Sequence, residues 1–577
     1  MMFKKTARSL SLQSANCQLS TATCQLPTCY CPLPIAYCLL FIALLSCKFR
    51  QKADLIIHHA KIYTADTAFS TAEAMAVRDG KIIAIGTDDE ILKEYEASEE
   101  KDAAGKTVYP GFIDAHTHFL NYGMSLQNVD LVGTKSWEEC IERVKAFITK
   151  KSIQPGAWIQ GRGWDQNDWA TQVFPTKELL DKNFPSNPIA LVRIDGHALI
   201  ANQAAIALAR VQPGRILEGG TVETINGKLT GIFIDNAERL IGEAIPAPTK
   251  EQYAQALKEA QANCFAVGLT SVVDCGLNAA DVERIDALQK ESVLKMRMNI
   301  MLSDNQANYD HYLKSGPYKT NRLSVNAFKL YADGALGSRG ACLLQPYADK
   351  PGWQGFLLKD RKYFETILPQ IFESKFQACT HAIGDSGNRM ILQVYAGILK
   401  GKNDRRWRVE HAQVISENDF HFFGDYNIIP SVQPTHATSD MYWAQERLGA
   451  TRVKGAYAYK QLMEQNNWIP LGTDFPVEDI SPFKTFFAAV ARQDAKGFPA
   501  NGYQMENALT RQQALWGMTI WAAKGSFEEK EKGSLVKGKY ADFILLDTDL
   551  MTCPTAGILK TKVLATYING EKVYNSK

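Results

Sequence analysis

The chain has 577 residues, 46% of them hydrophobic and 22% charged, with 64 basic and 62 acidic side chains and a net charge of +2. These fractions exclude a disordered tail or a fibre and fit a globular chain long enough to bury a large core. The balanced charge leaves no polybasic footprint for nucleic acid.

The front of the chain reads as a leader. Of 12 cysteines, Cys17, Cys24, Cys29, Cys31, Cys38 and Cys47 crowd into the first 47 residues, and the rest are scattered without zinc-knuckle or redox spacing. Residues 35–46 form an apolar run too short to span a bilayer but of signal-peptide length, ending in Leu44-Leu45-Ser46-Cys47. That ending resembles a bacterial lipobox. It predicts export to the cell envelope, in the periplasm or anchored to the membrane by a lipid on Cys47, with a plain secretory signal as the alternative. Residues 9–34 are unlike a normal n-region; if they reflect a start codon placed too far upstream, the protein is cytoplasmic. Residues 1–52 are therefore set apart from the fold.

Residues 53–107 read as short strands with a hairpin turn at Asp79-Gly80, and residues 530–577 repeat the pattern with Asn569-Gly570. Together they predict one composite β-sandwich domain built from both termini. Between them, 108–529 alternates apolar runs with helical stretches such as 251–266 and 279–291. The runs at 108–114, 269–275, 294–302, 325–331, 376–381, 408–411, 427–433 and 468–474 supply the eight strands of a (β/α)8 TIM barrel. The fold class is therefore α/β. The stretch from about 120 to 265 is too long for one βα unit and predicts an inserted subdomain after the first barrel strand.

Catalytic groups in such barrels sit at the C-terminal ends of strands. The first strand ends in Asp114-Ala115-His116-Thr117-His118, where His116 and His118 share one side of an extended segment. The fifth ends in His381, the sixth in His411 and the eighth in Asp474. A buried imidazole is usually a hydrogen-bonded core residue, but imidazoles and a carboxylate recurring at strand ends suit Zn²⁺ or a similar divalent metal. Lys329 lies near the end of the fourth strand, inside an apolar run. Burial would lower its pKa, and a neutral amine can take up CO2 as a carbamate that bridges two metal ions.

The segments PGFIDAHTH, GRGWDQ, RIDGHALIAN, KLYADGALGSRGA, HAIGDSGN, RVEHAQ, SVQPTH, LGTDFPV and KGKYADFILLD follow one another along the chain. In this series the chain resembles the amidohydrolase superfamily, and within it the amidohydrolase-3 branch that includes N-substituted formamide deformylases. The resemblance implies that His116 and His118 hold the more buried metal. It implies that Lys329, carboxylated, bridges to a second ion held by His381 and His411, and that Asp474 touches the first metal and shuttles the proton. Some relatives bind one ion only.

The expected reaction is hydrolysis of an amide-type C–N bond in an N-acyl or N-formyl amine by a metal-activated water, with Asp474 as general base and then acid. His436 and His197 are candidates for the oxyanion or for substrate orientation. Asp333 and Asp385 could orient a ligand or merely cap loops. Trp164, Trp169, Tyr122 and Arg162 could line the mouth or simply pack. The same metal set also serves cyclic amide or imide hydrolysis and heterocycle deamination, and a non-catalytic envelope lipoprotein is the alternative from another class. The expected partners are a small-molecule amide, a membrane through lipid at Cys47, and other copies of the chain in a homo-oligomer; nucleic acid is not among them.

Overall fold

Strand polarity in the middle of the chain is uniform. β1 (Phe112–Thr117), β2 (Leu269–Leu277), β3 (Arg297–Ser303), β4 (Leu323–Tyr331), β5 (Gln377–Ala382), β6 (Arg408–His411) and β7 (Ile429–Ser431) lie side by side in that order, each neighbouring pair parallel. This computed structural model describes residues 50–576 apart from 216 and 218; the lipobox-like end with Cys47 and nearly all of the leader lie outside the described residues. β2 and β4 are buried almost throughout, as parallel strands covered on both faces must be. Helices fall between the strands, among them Lys250–Ala266 before β2 and Ala279–Lys290 after it. The first of these starts in a capping box in which the Thr249 side chain accepts from Gln252 N–H and the Gln252 side chain accepts from Thr249 N–H.

Two strand boundaries differ from expectation. Residues 108–114 straddle two elements: Thr107–Pro110 belongs to a terminal sheet, and the barrel strand begins only at Phe112. Pro110-Gly111 marks the break. The expected eighth strand is an extended segment with a single parallel bridge, Val432 to Leu471. Pro470 lacks an N–H for the ladder, and Asp474 turns into the left-handed region at φ 64°. The segment still closes the ring. Val432 N–H donates to Pro470 O on one side, and Ala115 N–H donates to Leu471 O on the other, with Asp474 N–H donating to His116 O at 2.8 Å. Gly472 permits this approach, since a Cβ there would stand 2.6 Å from His116 N.

The stretch between β1 and β2 holds a six-stranded sheet in the order Gly220–Ile225, Lys228–Asp235, Ala198–Ala201, Ile189–Arg193, Ile159–Trp164, Val129–Asp130. It buries apolar clusters of its own, one built on Trp137, Trp164 and Trp169. Its helix Trp137–Lys151 shows complete end chemistry. The Ser136 side chain accepts from Glu139 N–H, Glu138 and Glu139 occupy the first turn, and Lys150 and Lys151 the last.

Strands from the two ends of the chain share a second six-stranded sheet, in the order Glu571–Asn575, Val563–Ile568, Phe543–Leu546, Thr107–Pro110, Lys61–Tyr63, Thr71–Ala72. A four-stranded sheet, Lys81–Gly86, Ala74–Arg78, Gln51–His58, Tyr95–Asp102, packs with it around Leu55, Ile57, Val77, Phe543 and Tyr567. Both expected hairpins are present, with φ of 52° and 73° at Asp79-Gly80 and 53° and 70° at Asn569-Gly570. Arg297, at the start of β3, reaches Asp542 at 2.5 Å in a buried ion pair. Removing one partner of such a pair costs about 3–5 kcal/mol, so this contact fixes the terminal sheet to the barrel.

Candidate metal centre

The side chains expected at the strand ends converge on one point. His116 Nε2 and His118 Nε2 lie 3.5 and 3.2 Å from Asp474 Oδ1. Lys329 Nζ is 3.1 Å from His116 Nε2. The His411 ring centroid is 4.9 Å from that of His116 and 4.6 Å from that of His381. His436 stacks on His411 at 5.9 Å and points Nε2 at Asp474 Oδ2, 3.7 Å away. β1, β4, β5, β6 and the closing segment thus each deliver a group to the same end of the barrel. His411 and Asp474 both adopt left-handed φ, 71° and 64°. For residues other than glycine such backbone costs of the order of 1–3 kcal/mol and persists where the surroundings enforce it.

The donor set fits a divalent cation. His381 Nε2, His436 Nε2 and Asp474 Oδ1 are buried without a hydrogen-bond partner, and each such orphan costs about 1–3 kcal/mol. Ligand atoms of His116, His411 and Asp474 all lie within 4.8 Å of one another. Burial lowers the pKa of His116 to about 4 and of His381 to about 3, and holds His411 well below its ordinary value. Neutral imidazoles result, each with a lone pair to give. Burial opposes the charge on Asp474, but the neighbouring His116, His118, His411 and His436 outweigh it and keep the carboxyl well below the usual range. Lys329 runs against the fall expected from burial alone. Burial disfavours its charge, yet Cys275, Tyr331, Glu410 and Asp474 around it hold the amine above the ordinary lysine value.

Several supporting residues are not apparent from the sequence. His116 Nδ1 donates to Glu410 Oε2 at 2.5 Å, which leaves Nε2 facing the centre. Arg408 lies 2.6 Å from the other Glu410 oxygen and also donates to Ser431 Oγ and to Ala115 O. Burial opposes the charge on Glu410, and Arg408 and His116 overcome it, so the carboxylate stays ionised. Gln433 Oε1 takes the same part for His411 Nδ1, at 2.8 Å. Asp114 accepts from His116 N–H, Thr473 N–H and the Thr473 hydroxyl, which fastens β1 to the closing segment. Arg408 and Glu410 did carry a signal: charged residues two apart on a buried strand share a face and must pair inside the barrel.

The remaining candidates sort by their contacts. Asp333 accepts from the backbone of Cys342, Ile383 and Gly384, and Asp385 accepts from Leu344 N–H, so both fasten loops. Trp164 and Trp169 are buried in the insertion's own core, the packing alternative. Tyr122 OH accepts from Asn263, and Arg162 donates to Ile194 O. His197 stands apart. Its side chain is 74% exposed, its Nδ1 lies 2.9 Å from Asp235 Oδ1, and among the described residues no hydrogen bond or ion pair joins it to the centre.

The chain is similar to known proteins over nearly its whole described length. A family described as "Amidohydrolase family" matches residues 99–574. The chain is 31% identical over 544 residues to the protein LONG AFTER FAR-RED 3 of Arabidopsis thaliana, covering 90% of this chain and 92% of that one. It is 26% identical over 548 residues to an N-substituted formamide deformylase of Arthrobacter pascens, covering 90% and 98%. Among solved structures, an uncharacterized metal-dependent hydrolase from Pyrococcus horikoshii matches with a TM-score of 0.73 and 28% identity, over 87% of this chain and 99% of that one.

Proposed function

This chain belongs to the amidohydrolase family, and on that premise we propose that it hydrolyses the C–N bond of a small N-acyl or N-formyl amine. The observation that carries the reading is the convergence of buried, unpartnered ligand atoms from His381, His436 and Asp474 on the imidazoles of His116 and His411. His116, His118 and Asp474 would hold one divalent ion, Zn²⁺ by ligand chemistry. Lys329 would join them to a second ion held by His381 and His411 once its amine, held above the ordinary lysine pKa by its neighbours, gives up its proton and takes up CO2 as a carbamate. When bound, the metal supplies Lewis-acid polarisation of the carbonyl and lowers the pKa of water from near 16 to about 7.

The chain's own residues do the rest. Asp474 is ionised and turns Oδ2 away from His116 and His118, towards His436. From there it accepts the proton of the attacking water at Oδ2 and returns it to the departing nitrogen, as base and then acid. His436 Nε2 has no other partner and donates to the oxygen that gains charge as the carbonyl carbon becomes tetrahedral. Glu410 holds His116 in the tautomer that keeps Nε2 available. His197 is assigned substrate contact from the insertion rather than a proton. We read 53–107 with 530–577 as one composite sandwich domain, and we read the leader, from its lipobox-like end, as directing the enzyme to the cell envelope with a lipid on Cys47.

A panel of N-substituted formamides, N-acyl amino acids and cyclic imides, run before and after chelation and after Zn²⁺ return, tests the proposal. Turnover of a linear amide that chelation abolishes and Zn²⁺ restores is expected. Full metal occupancy with no amide turned over would reject the reaction class, and turnover of cyclic imides alone would reassign the substrate.

A further inference from the structure

A second group of metal-binding side chains lies in the four-stranded terminal sheet. His58 ends the strand Gln51–His58, and Asp102 ends its neighbour, Tyr95–Asp102. Adjacent residues of an extended strand point to opposite faces, which would part His58 from His59. His59 instead takes left-handed backbone at φ 49°, and its ring comes to 4.7 Å from that of His58. Ring nitrogens of both histidines and a carboxylate oxygen of Asp102 then lie within 4.8 Å of one another.

The details favour a cation over a simple ion pair. His59 Nδ1 is 3.3 Å from Asp102 Oδ2. Ligands about 2.0–2.2 Å from a tetrahedral Zn²⁺ stand about 3.3–3.5 Å apart. The other Asp102 oxygen is engaged by Ala104 N–H, which fixes the carboxylate. On the far side of the imidazole, Nε2 faces Asp88 Oδ2 at 3.8 Å, and Asp88 Oδ1 accepts from His59 N–H. At that distance Asp88 acts on the ring through its charge and through its hydrogen bond from the His59 backbone. Pairing of His59 with Asp102 and Asp88 would satisfy those groups, but it leaves His58 Nδ1 buried without a partner.

We propose that His58, His59 and Asp102 form a surface Zn²⁺ site, distinct from the barrel centre, that clips the strand Gln51–His58 to the strand Tyr95–Asp102. The metal shares no residue with the barrel centre, so the site stands or falls independently of the proposed reaction. The test uses the full chain with its barrel centre already loaded and excess metal dialysed away, titrated with Zn²⁺ by calorimetry. One further equivalent binding in the micromolar range is expected, with a rise in Tm. His59→Ala and Asp102→Asn should both lose that equivalent and the Tm rise while retaining barrel metal and any hydrolytic activity. Cu²⁺ added in place of Zn²⁺ should give an electron paramagnetic resonance signal split by imidazole nitrogen, absent from His59→Ala. Equal zinc uptake by the wild type and His59→Ala, or no uptake by the wild type beyond the barrel metal, overturns the site.

Discussion

The two histidine clusters use the same side chains in opposite surroundings. At the barrel mouth His116, His381 and His411 are stripped of water, and burial lowers their pKa values. At the sheet edge His59 is more than half exposed, and a hydrogen bond to Asp102 raises its pKa. A metal thus meets ready lone pairs in the first cluster, whereas in the second it competes with a proton that Asp102 helps to hold on His59. Burial, rather than the number of imidazoles, decides which cluster can hold a reactive centre at neutral pH.

That contrast can be broken most severely at Asp474. Asp474→Asn should lower kcat by about 10²–10⁴-fold, the usual worth of a general acid–base group, while the surface cluster still takes up zinc. Glu410→Gln comes next: metal affinity at the barrel should fall about 10–100-fold, read by competition with a chelator, with the Tm rise on zinc binding at the sheet edge unchanged. Acidification separates the clusters without mutation. His59 is protonated below a raised pKa, whereas His116 and His381 stay neutral down to about 4 and about 3. As the pH falls, the surface site should therefore release its ion before the barrel does; metal analysis after dialysis at a series of pH values reads both. The smallest effect is expected at His197→Ala. It should raise KM less than about tenfold and leave kcat and metal content unchanged, because one exposed side chain contributes about 1 kcal/mol or less.

The candidate ligands were more legible in the sequence than the residues that support them. His116, His118, His381, His411 and Asp474 were legible because strand-end position and two-residue alternation are properties of the local chain. Gln433 escaped because its role depends on which strand lies across the barrel, and the paired charges of Arg408 and Glu410 signalled burial without showing which imidazole Glu410 would hold. The closing segment read as a strand from its apolar pattern, and only the structure shows Pro470 and the turn at Asp474 reducing it to one bridge. Trp164 and Trp169 could be read either as mouth residues or as packing, because nothing local reveals that the insertion has a core of its own. The pairing of His58 with His59 depends on a left-handed turn that histidine does not announce.

The strand Thr107–Pro110 leads through Gly111 into β1, and it is paired with Phe543–Leu546. The opening strand of the barrel is therefore anchored by residues far along the chain, beyond all the candidate ligands. Such long-range pairing is intrinsically slow to form, so β1, which carries His116, gains this anchor late in folding. A protein shortened before Phe543 would keep all its catalytic side chains and leave Thr107–Pro110 as an unpaired edge, open to aggregation.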